Sequence, residues 1–314
     1  MKKDVFIDGE TGTTGLQVHE KLSKHPNVNI MSVDQSKRKD ISYKKEMLAK
    51  SDVTFLCLPD EISIETVKIA DELRDKSPII IDASTAHRTN PNWSYGLPEL
   101  GENYRKNLEN SKRIASPGCY STGANVIIKP LINSGILSKN IPIIINAVSG
   151  YSGGGKSMIK YFKESGHEPF FNYGLKLNHK HLPEIMYHNK LELTPIFSPS
   201  VGDFIQGMIV SIPLHFSWFN QKVDTEKIQC LLEEFYSEAN FIKVLKKDEG
   251  ISDKGYFRPD NLIGTNCLDI SVFGNDYNNQ LIISSRLDNL GKGASGAAIQ
   301  SMNIALGYDE TLGL

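Results

Sequence analysis

The sequence predicts an α/β protein made of a doubly wound parallel sheet and a following α+β region whose sheet is mostly antiparallel. In the first third of the 314 residues, short β-branched runs alternate with segments of helical spacing, as in parallel strands joined by helices. After about residue 118 the apolar runs lengthen and turn-forming residues separate neighbouring runs. We therefore predict a first domain at residues 1–117, a second at 118–288, and a C-terminal helical segment from about 289 to 314 that completes the first.

The individual elements follow from these runs. Apolar stretches between polar turns predict strands, and apolar residues recurring every three or four positions predict helices. In the first domain, strands are predicted at Val5–Asp8, Val28–Val33, Val53–Leu58 and Ile79–Asp82, with helices at Gly12–Leu22 and Ile62–Leu73. In the second, strands are predicted at Ile141–Ala147, Phe204–Phe216, Leu268–Gly274 and Gln280–Ser285, the last two as a hairpin, with helices at Thr225–Asn240 and Ala294–Leu306.

Composition and charge exclude several classes of protein. The 35 basic and 37 acidic residues leave a net charge of −2, which provides no electrostatic footprint for nucleic acid or an anionic membrane. The four scattered cysteines lack zinc-site spacing and fit a reducing compartment better than a disulfide framework. No apolar stretch approaches the roughly 20 residues that span a bilayer. We expect a cytoplasmic protein without a metal and without nucleic acid or a membrane as partner.

A glycine-rich turn follows the first predicted strand. Its spacing is Gly-x-x-Gly-x-x-Gly from Gly9 to Gly15, and it opens a predicted helix. Glycines let the backbone approach a pyrophosphate closely, and the N–H groups at the start of the helix favour the anion. A tight turn without a ligand is the alternative, but the position at the first strand–helix turn favours a Rossmann-type dinucleotide site. The predicted contacts are Gly9, Thr11, Gly12, Thr13, Thr14 and Gly15.

The residues after the second predicted strand bear on the choice of dinucleotide. Asp34 has the position of an acid that holds the ribose 2′-hydroxyl of NAD. Ser36, Lys37, Arg38 and Lys39 follow it, and a hydroxyl with three cations suits a 2′-phosphate better. A solvated charged loop is the alternative. We predict NADP as the cofactor.

One of the four cysteines stands apart from the others. Cys119 follows Pro117-Gly118 and precedes a predicted helix at 124–132. A helix N-terminus stabilises a thiolate, and its N–H groups can hold the oxyanion that forms when the thiolate attacks a carbonyl. The other three cysteines lie in apolar patterns typical of small buried side chains. We predict Cys119 as a nucleophile.

Two histidines lie together in the segment 178–185. A thiolate that forms a carbonyl adduct needs a proton donor and acceptor near neutral pH, and histidine is the usual choice. His179 and His181 both qualify, and either can instead be a surface or helix-start residue. If one of them is only a surface or helix-start residue, its replacement by asparagine should cost little activity.

Three further segments have a composition suited to ligands. Residues 148–156 hold four glycines, two serines and Lys156, and can bind phosphate through main-chain N–H groups or form a flexible connection. Residues 82–88 follow the fourth predicted strand and end in Arg88, which can clamp a carboxylate or phosphate. Residues 288–298 are rich in small side chains that permit close helix packing or close approach to a flat ring.

These segments together resemble the N-acetyl-γ-glutamyl-phosphate reductases. In length, the chain is similar to the shorter class of that family. The resemblance extends from Gly9 to Asn303 and rests on the runs Thr11–Gly15, Ser84–Arg88, Tyr95–Leu100 and Pro117–Tyr120. The histidine of that family precedes x-Pro-Glu-Ile, which assigns its role to His181. The family is similar in design to the aspartate-semialdehyde dehydrogenases, with a Rossmann domain, a catalytic domain and a last helix that returns to the first domain.

The resemblance implies a reversible, NADPH-dependent reduction of an acyl phosphate in arginine biosynthesis. Cys119 would attack the γ-carbonyl, phosphate would leave, NADPH would reduce the resulting thioester, and His181 would protonate the oxyanion. The partners would be a small-molecule substrate, phosphate and further copies of the chain in a dimer or tetramer. A reductase of an aspartyl or aminoadipyl phosphate, and a dinucleotide-binding protein without catalysis, remain alternatives.

The remaining site predictions concern substrate and cofactor contacts. Substrate binding is predicted for Arg88, Ser149, Gly150, Lys156 and Glu184. Cofactor binding is also predicted for Asn289 and Gly291.

Overall fold

The computed structural model describes residues 1–164 and 168–314, and the chain divides into two units. The first unit comprises Met1–Pro117 and Ala294–Leu314, and the second comprises Gly118–Gly293. The C-terminal segment therefore belongs to the same unit as the N-terminal third of the chain.

Six strands and four helices form the N-terminal part of the first unit. The strands are β1 (Lys3–Asp8), β2 (Val28–Ile30), β3 (Val53–Leu56), β4 (Ile79–Asp82), β5 (Ser94–Tyr95) and β6 (Arg113–Ala115). The helices are α1 (Thr13–Ser23), α2 (Ile41–Lys50), α3 (Asp60–Glu72) and α4 (Glu102–Glu109). The strands pair in the order β2-β1-β3-β4-β6-β5, and every neighbouring pair is parallel. The predicted doubly wound parallel sheet is confirmed, and its strand order reverses beside β1, where such sheets bind ligands.

Both faces of this sheet are covered, which explains why its strands read as continuous apolar runs. Successive side chains of a strand point to opposite faces. Val5 and Ile7 of β1 lie in one core cluster with Val18 of α1. Phe6, between them, lies in a second cluster with Leu48 of α2.

The described residues of the second unit, 118–164 and 168–293, form four α-helices and seven strands. The helices are α5 (Cys119–Asn133), α6 (Gly155–Glu164), α7 (Leu182–Asn189) and α8 (Thr225–Phe235). The strands are β7 (Ile144–Gly150), β8 (Phe170–Asn172), β9 (Ile196–Gly202), β10 (Met208–His215), β11 (Ile242–Val244), β12 (Leu268–Asn275) and β13 (Gln280–Leu287). The sheet order is β11-β12-β13-β10-β7-β9-β8. It is mostly antiparallel, as predicted, but the pairs β7–β9 and β11–β12 are parallel.

Helix α5 lies directly on the inner face of this sheet. A Cβ atom on Gly123 would come within 2.7 Å of the Val210 side chain in β10. The Ser285 hydroxyl of β13 donates a hydrogen bond to the Gly123 carbonyl at 3.0 Å. Glycine at this position therefore lets the helix that begins with Cys119 seat against the strands.

Several element boundaries differ from the predictions. Helix α5 begins at Cys119 rather than 124, because residues 119–123 carry no apolar periodicity. Helix α8 begins after Asp224, whose side chain accepts from the Lys227 N–H, and ends at Phe235 rather than at Asn240. The last helix, α9 (Gly296–Ala305), is preceded by a π-turn at Gly291–Ser295.

Candidate active site

The glycine-rich turn between β1 and α1 is held by contacts that exclude side chains. Gly9 has a φ of +90°, and a Cβ atom there would lie 2.3 Å from the Cys57 carbonyl oxygen. The Gly12 N–H donates to the Gly9 carbonyl at 2.9 Å. Gly12 is the N-cap of α1, whose first turn has neither a side-chain cap nor an acidic residue. The N–H groups that open α1 therefore suit a phosphate group.

A cleft of about 730 Å³ in the first unit borders both the glycine turn and the basic loop after β2. Gly9 and Thr11 line it from the turn, and Arg38 and Lys39 line it from the loop. Its remaining wall is largely apolar and includes Val33, Leu58, Ile62 and Ile69. Apolar walls with a few charged groups are typical of cofactor sites, and these walls suit an adenosine group.

Within the basic loop, Asp34 is bonded to its own neighbours. The Ser36 N–H and hydroxyl donate to the Asp34 carboxylate at 3.0 and 2.7 Å. Lys37 Nζ lies 3.8 Å from the same carboxylate. The hydrogen bonds from Ser36 lower the pKa of Asp34, so the carboxylate is charged and turned toward its own loop.

An ion pair absent from the sequence predictions lies beside this cleft. Lys44 Nζ of α2 lies 2.8 Å from the Asp8 carboxylate at the end of β1 and 3.0 Å from the Thr66 hydroxyl of α3. Asp8 and Lys44 also line the cleft. Asp8 and Lys44 are far apart in the sequence, and no sequence pattern predicted their contact.

The loop after β4 is organised around the buried carboxylate of Asp82. It accepts from the hydroxyls of Ser63 and Ser84 at 2.7 Å each and lies 2.6 Å from His87 Nδ1. Burial alone would raise the pKa of Asp82, but the hydrogen bonds from His87, Ser63 and Ser84 outweigh it and hold the pKa below its ordinary value. The network stiffens this loop.

Arg88 ends the same loop and is itself buried. Its Nε donates to the Ser116 carbonyl at 2.9 Å, and its Nη2 donates to the Ala83 carbonyl at 3.1 Å. These bonds join the loop after β4 to the end of β6. A contact between Arg88 and substrate stays a prediction.

Cys119 occupies the first position of α5, at a helix N-terminus as predicted. Gly118 is the N-cap and has no side chain with which to cap the helix. The Cys119 side chain is partly exposed. A Cβ atom on Gly293 would lie 2.7 Å from the Cys119 Cβ atom, so glycine there lets the chain pass close to the thiol.

Glu184, in the first turn of α7, supplies the missing cap to α5. One carboxylate oxygen accepts from the Gly118 N–H at 2.8 Å, and the other accepts from the Ser121 hydroxyl at 2.7 Å. The side chain is only 1% exposed. Glu184, predicted to bind substrate, therefore accepts hydrogen bonds from the Gly118 backbone before Cys119 and from the Ser121 side chain after it.

His181 is the N-cap residue of α7 and is 5% exposed. The centre of its ring lies 5.9 Å from that of Tyr120 and 4.8 Å from that of His179. The beginnings of α5 and α7 therefore bring together Cys119, Tyr120, His181 and Glu184. Tyr120, next to the predicted nucleophile, carried no separate signal in the sequence.

The glycine-rich segment 148–156 is an ordered connection. Strand β7 runs to Gly150, a 3₁₀ turn spans Tyr151–Gly154, and α6 begins at Gly155. A Cβ atom on Gly150 would lie 2.6 Å from the Gln206 nitrogen, and the Ser149 hydroxyl donates to the Gly150 carbonyl. Lys156 is exposed on α6. Phosphate contacts from Ser149, Gly150 and Lys156 stay predictions.

The small residues before α9 serve close packing within the second unit. Asn289 is 2% exposed; its Oδ1 accepts from the Gly207 N–H at 2.7 Å, and its Nδ2 donates to the Ser152 hydroxyl at 3.0 Å. A Cβ atom on Gly291 would lie 2.2 Å from the Thr265 carbonyl oxygen. These contacts account for both residue types, and their contacts with a cofactor stay predictions.

Residues 1–164 and 168–314 contain neither a candidate metal centre nor a candidate membrane span. In these ranges no group of three or more His, Cys, Asp or Glu side chains could hold a metal ion. No helix there is long and apolar enough to cross a membrane.

The two parts of the chain match two domains of one family. Residues 4–110 match the semialdehyde dehydrogenase NAD binding domain, and residues 119–289 match the semialdehyde dehydrogenase dimerisation domain. The chain belongs to the semialdehyde dehydrogenase family, and its first part is a domain for a nicotinamide dinucleotide.

Within that family, similar relatives are N-acetyl-gamma-glutamyl-phosphate reductases. The chain is 43% identical over its whole length to N-acetyl-gamma-glutamyl-phosphate reductase 2 of Nostoc sp., covering 99% of that relative. Over 98% of its length it is 40% identical to the N-acetyl-gamma-glutamyl-phosphate reductase of Brucella ovis, covering all of it.

Solved structures of other family members have the same fold. Aspartate semialdehyde dehydrogenase II from Vibrio cholerae, complexed with ASA, superposes with a TM-score of 0.70 at 14% identity, covering 98% of each chain. Aspartate semialdehyde dehydrogenase with NADP from Candida albicans gives a TM-score of 0.65 at 15% identity, covering 97% of this chain and 98% of that one.

Proposed function

We propose that this chain catalyses the NADPH-dependent reduction of N-acetyl-γ-glutamyl phosphate to N-acetylglutamate 5-semialdehyde and phosphate, reversibly, in arginine biosynthesis. One observation carries the proposal: Glu184 joins the start of α7, which bears His181, to the start of α5, which bears Cys119. The names and full-length similarity of the reductases from Nostoc and Brucella support the choice of substrate.

Cys119 is the proposed nucleophile. The N–H groups and dipole at the start of α5 favour a thiolate over a thiol. The sulfur forms a bond to the γ-carbonyl carbon, and the bond from that carbon to the phosphate oxygen breaks. Phosphate leaves, and the acyl group remains on Cys119 as a thioester.

His181 is the proposed acid–base residue. When bound, NADPH supplies the hydride that reduces the thioester. As imidazolium, His181 donates a proton to the oxyanion on the former carbonyl, giving a thiohemiacetal. The neutral imidazole then takes that proton back while the carbon–sulfur bond breaks, which releases the semialdehyde and restores the thiolate.

NADP is the proposed form of the nicotinamide cofactor. The N–H groups at the start of α1 suit the pyrophosphate, and Arg38 and Lys39 line the adjoining cleft, where they can meet a 2′-phosphate. Asp34, the residue suited to a free 2′-hydroxyl, accepts hydrogen bonds from Ser36. This loop favours the phosphorylated ribose.

We propose that the two units have different functions. The first, closed by α9, would bind NADP, and the second would carry catalysis and the contacts of a homodimer or tetramer. Four free cysteines suit a reducing compartment such as the cytoplasm. Sedimentation velocity on the purified protein measures the oligomeric state.

The test of this function is the reverse reaction. Purified protein with NADP⁺ and phosphate should reduce NADP⁺ over many turnovers when given N-acetylglutamate 5-semialdehyde, and turnover should continue only when phosphate is present. Aspartate semialdehyde, assayed beside it, should be a far poorer substrate. A preference for aspartate semialdehyde would assign the chain to a sister reaction, and tight cofactor binding without turnover on either would indicate a binding protein.

A further inference from the structure

His179 lies in a cage of aromatic rings within the second unit. Its ring meets those of Tyr120 and Phe197 edge to face, at centre separations of 5.8 and 5.0 Å. Tyr173 lies 5.6 Å away on another side, and the His181 ring lies 4.8 Å away and nearly perpendicular. This is not the environment of a surface histidine, which was one of the two alternatives left open by the sequence.

The hydrogen bonds of His179 define which nitrogen carries its proton. The backbone N–H of His181 donates to His179 Nδ1 at 3.2 Å, so Nδ1 holds a lone pair. The proton of the neutral ring is therefore on Nε2, which lies 3.3 Å from the Tyr173 hydroxyl and donates to it. Burial, helped by Lys180 and opposed by Glu184, lowers the pKa of His179 to about 4, so the ring is neutral near pH 7.

The same residue also shapes the chain that leads into α7. Its bond with Tyr173 closes the base of the loop 173–179, in which Leu177 has a φ of +57°. Its carbonyl accepts from the Leu182 N–H at 2.9 Å. Side chain and carbonyl of His179 thus hold the amides of residues 181 and 182, the two that begin the helix.

We propose that His179 is a positioning residue: as a neutral acceptor for the His181 amide, it holds the backbone of His181 so that the catalytic imidazole meets the substrate carbonyl. The inference rests on the proposed function of His181. Misplacement of a reacting group by about 1 Å can cost about 100-fold in rate, so the loss of one backbone anchor has a measurable consequence. His179 itself does not transfer a proton.

The test compares two replacements that separate the hydrogen bond from the packing. His179→Phe keeps a ring in the cage but removes the acceptor, whereas His179→Asn places an amide oxygen near the position of Nδ1. We expect His179→Phe to lower kcat about 10- to 100-fold with little change in KM for the semialdehyde. His179→Asn should recover kcat to within about threefold of the wild type and keep its pH profile, since it retains an acceptor for the His181 amide.

Phe197→Leu is the matched control for packing. It loosens the same cage without removing a hydrogen bond, and kcat should stay within about threefold of the wild type. Near-normal kcat in His179→Phe would overturn the proposal. So would equal losses in His179→Asn, or in Phe197→Leu, in proteins that fold normally by circular dichroism. If His179→Phe does not fold, His179→Ala replaces it in the comparison with His179→Asn.

A second readout does not depend on turnover and separates this inference from the proposed function. With ¹³C-labelled histidine, NMR should show a neutral His179 with its proton on Nε2 down to about pH 5. It should also show a His181 signal that changes in His179→Phe but not in His179→Asn. If the wild type turned over neither semialdehyde, the proposed function would fail, and this spectrum alone would decide whether His179 holds His181. A His181 signal unchanged in His179→Phe would contradict the inference.

Discussion

The proposed dinucleotide cleft of the first unit and the cysteine site of the second are built in different ways. The cleft depends on main-chain geometry: a turn in which Gly9 and Gly15 have no room for side chains, and a helix start with no side-chain cap. The cysteine site depends on side chains from separate segments, with Glu184 bonded to Gly118 and Ser121, and His179 bonded to His181. We therefore expect side-chain substitutions in the cleft to have smaller effects, on the KM for the cofactor, and substitutions at the cysteine site to have larger effects, on kcat.

The largest expected effect is at the nucleophile. Cys119→Ser should reduce turnover to background while the binding of NADPH survives, because a serine hydroxyl is far less ionised at neutral pH than a thiol at a helix N-terminus. Initial rates and cofactor titration by fluorescence measure the two quantities. Cys230→Ser is the matched control, since Cys230 is exposed on α8. A Cys119→Ser protein with a substantial fraction of the wild-type rate would exclude covalent catalysis.

His181→Asn comes next. A positioned acid–base residue contributes about 10²–10⁴-fold, so kcat should fall by that factor. The KM for phosphate should change less, because the role proposed for His181 is at the carbonyl oxygen. The measurement is kcat and KM across pH with the fold checked by circular dichroism. Near-normal kcat would move the proton transfer to another group.

Glu184 should affect stability and rate together. Glu184→Ala leaves the buried Gly118 N–H without its acceptor, and an unmet buried donor costs about 1–3 kcal/mol in the free energy of unfolding. We expect kcat to fall as well, because the start of α5 loses its cap. Glu184→Gln retains an acceptor for Gly118 and should recover most of the stability. Urea denaturation measures the free energy of unfolding of each variant. A Glu184→Ala protein as stable as the wild type would show that the contact does not contribute to stability.

The smallest effect is expected in the basic loop of the cleft. Replacing Lys37, Arg38 and Lys39 together by neutral residues should raise the KM for NADPH about 10- to 100-fold, the equivalent of one charge-assisted hydrogen bond of about 1.5–3 kcal/mol, because the three side chains are exposed and Lys37 already lies near Asp34. The KM for NADH should change little. Equal losses with both cofactors would contradict the assignment of this loop to the 2′-phosphate.

The same contrast explains how much the sequence could predict. Glycine spacing after a strand reports backbone geometry, so the turn at Gly9–Gly15 and the parallel sheet were predictable. The helix start at Cys119 was predictable from Pro117-Gly118, although the first five helical residues, 119–123, lack apolar periodicity and were not predicted as helix. Period and spacing do not report which distant side chains meet, so the bonds of Glu184 to Gly118 and of Asp8 to Lys44 were not foreseen. Nor were the aromatic surroundings of the half-buried His179, because its partner Tyr173 lies across a loop.

The thioester on Cys119 is the central claim, and the reverse reaction without phosphate tests it most directly. The protein is mixed with N-acetylglutamate 5-semialdehyde and NADP⁺ in phosphate-free buffer, and NADPH is followed by absorbance. We predict a burst of about one NADPH per active site, an N-acetylglutamyl adduct on Cys119 in the mass spectrum, and continued turnover only when phosphate is added. Turnover that is indifferent to phosphate, or a burst without an adduct on Cys119, would contradict the account.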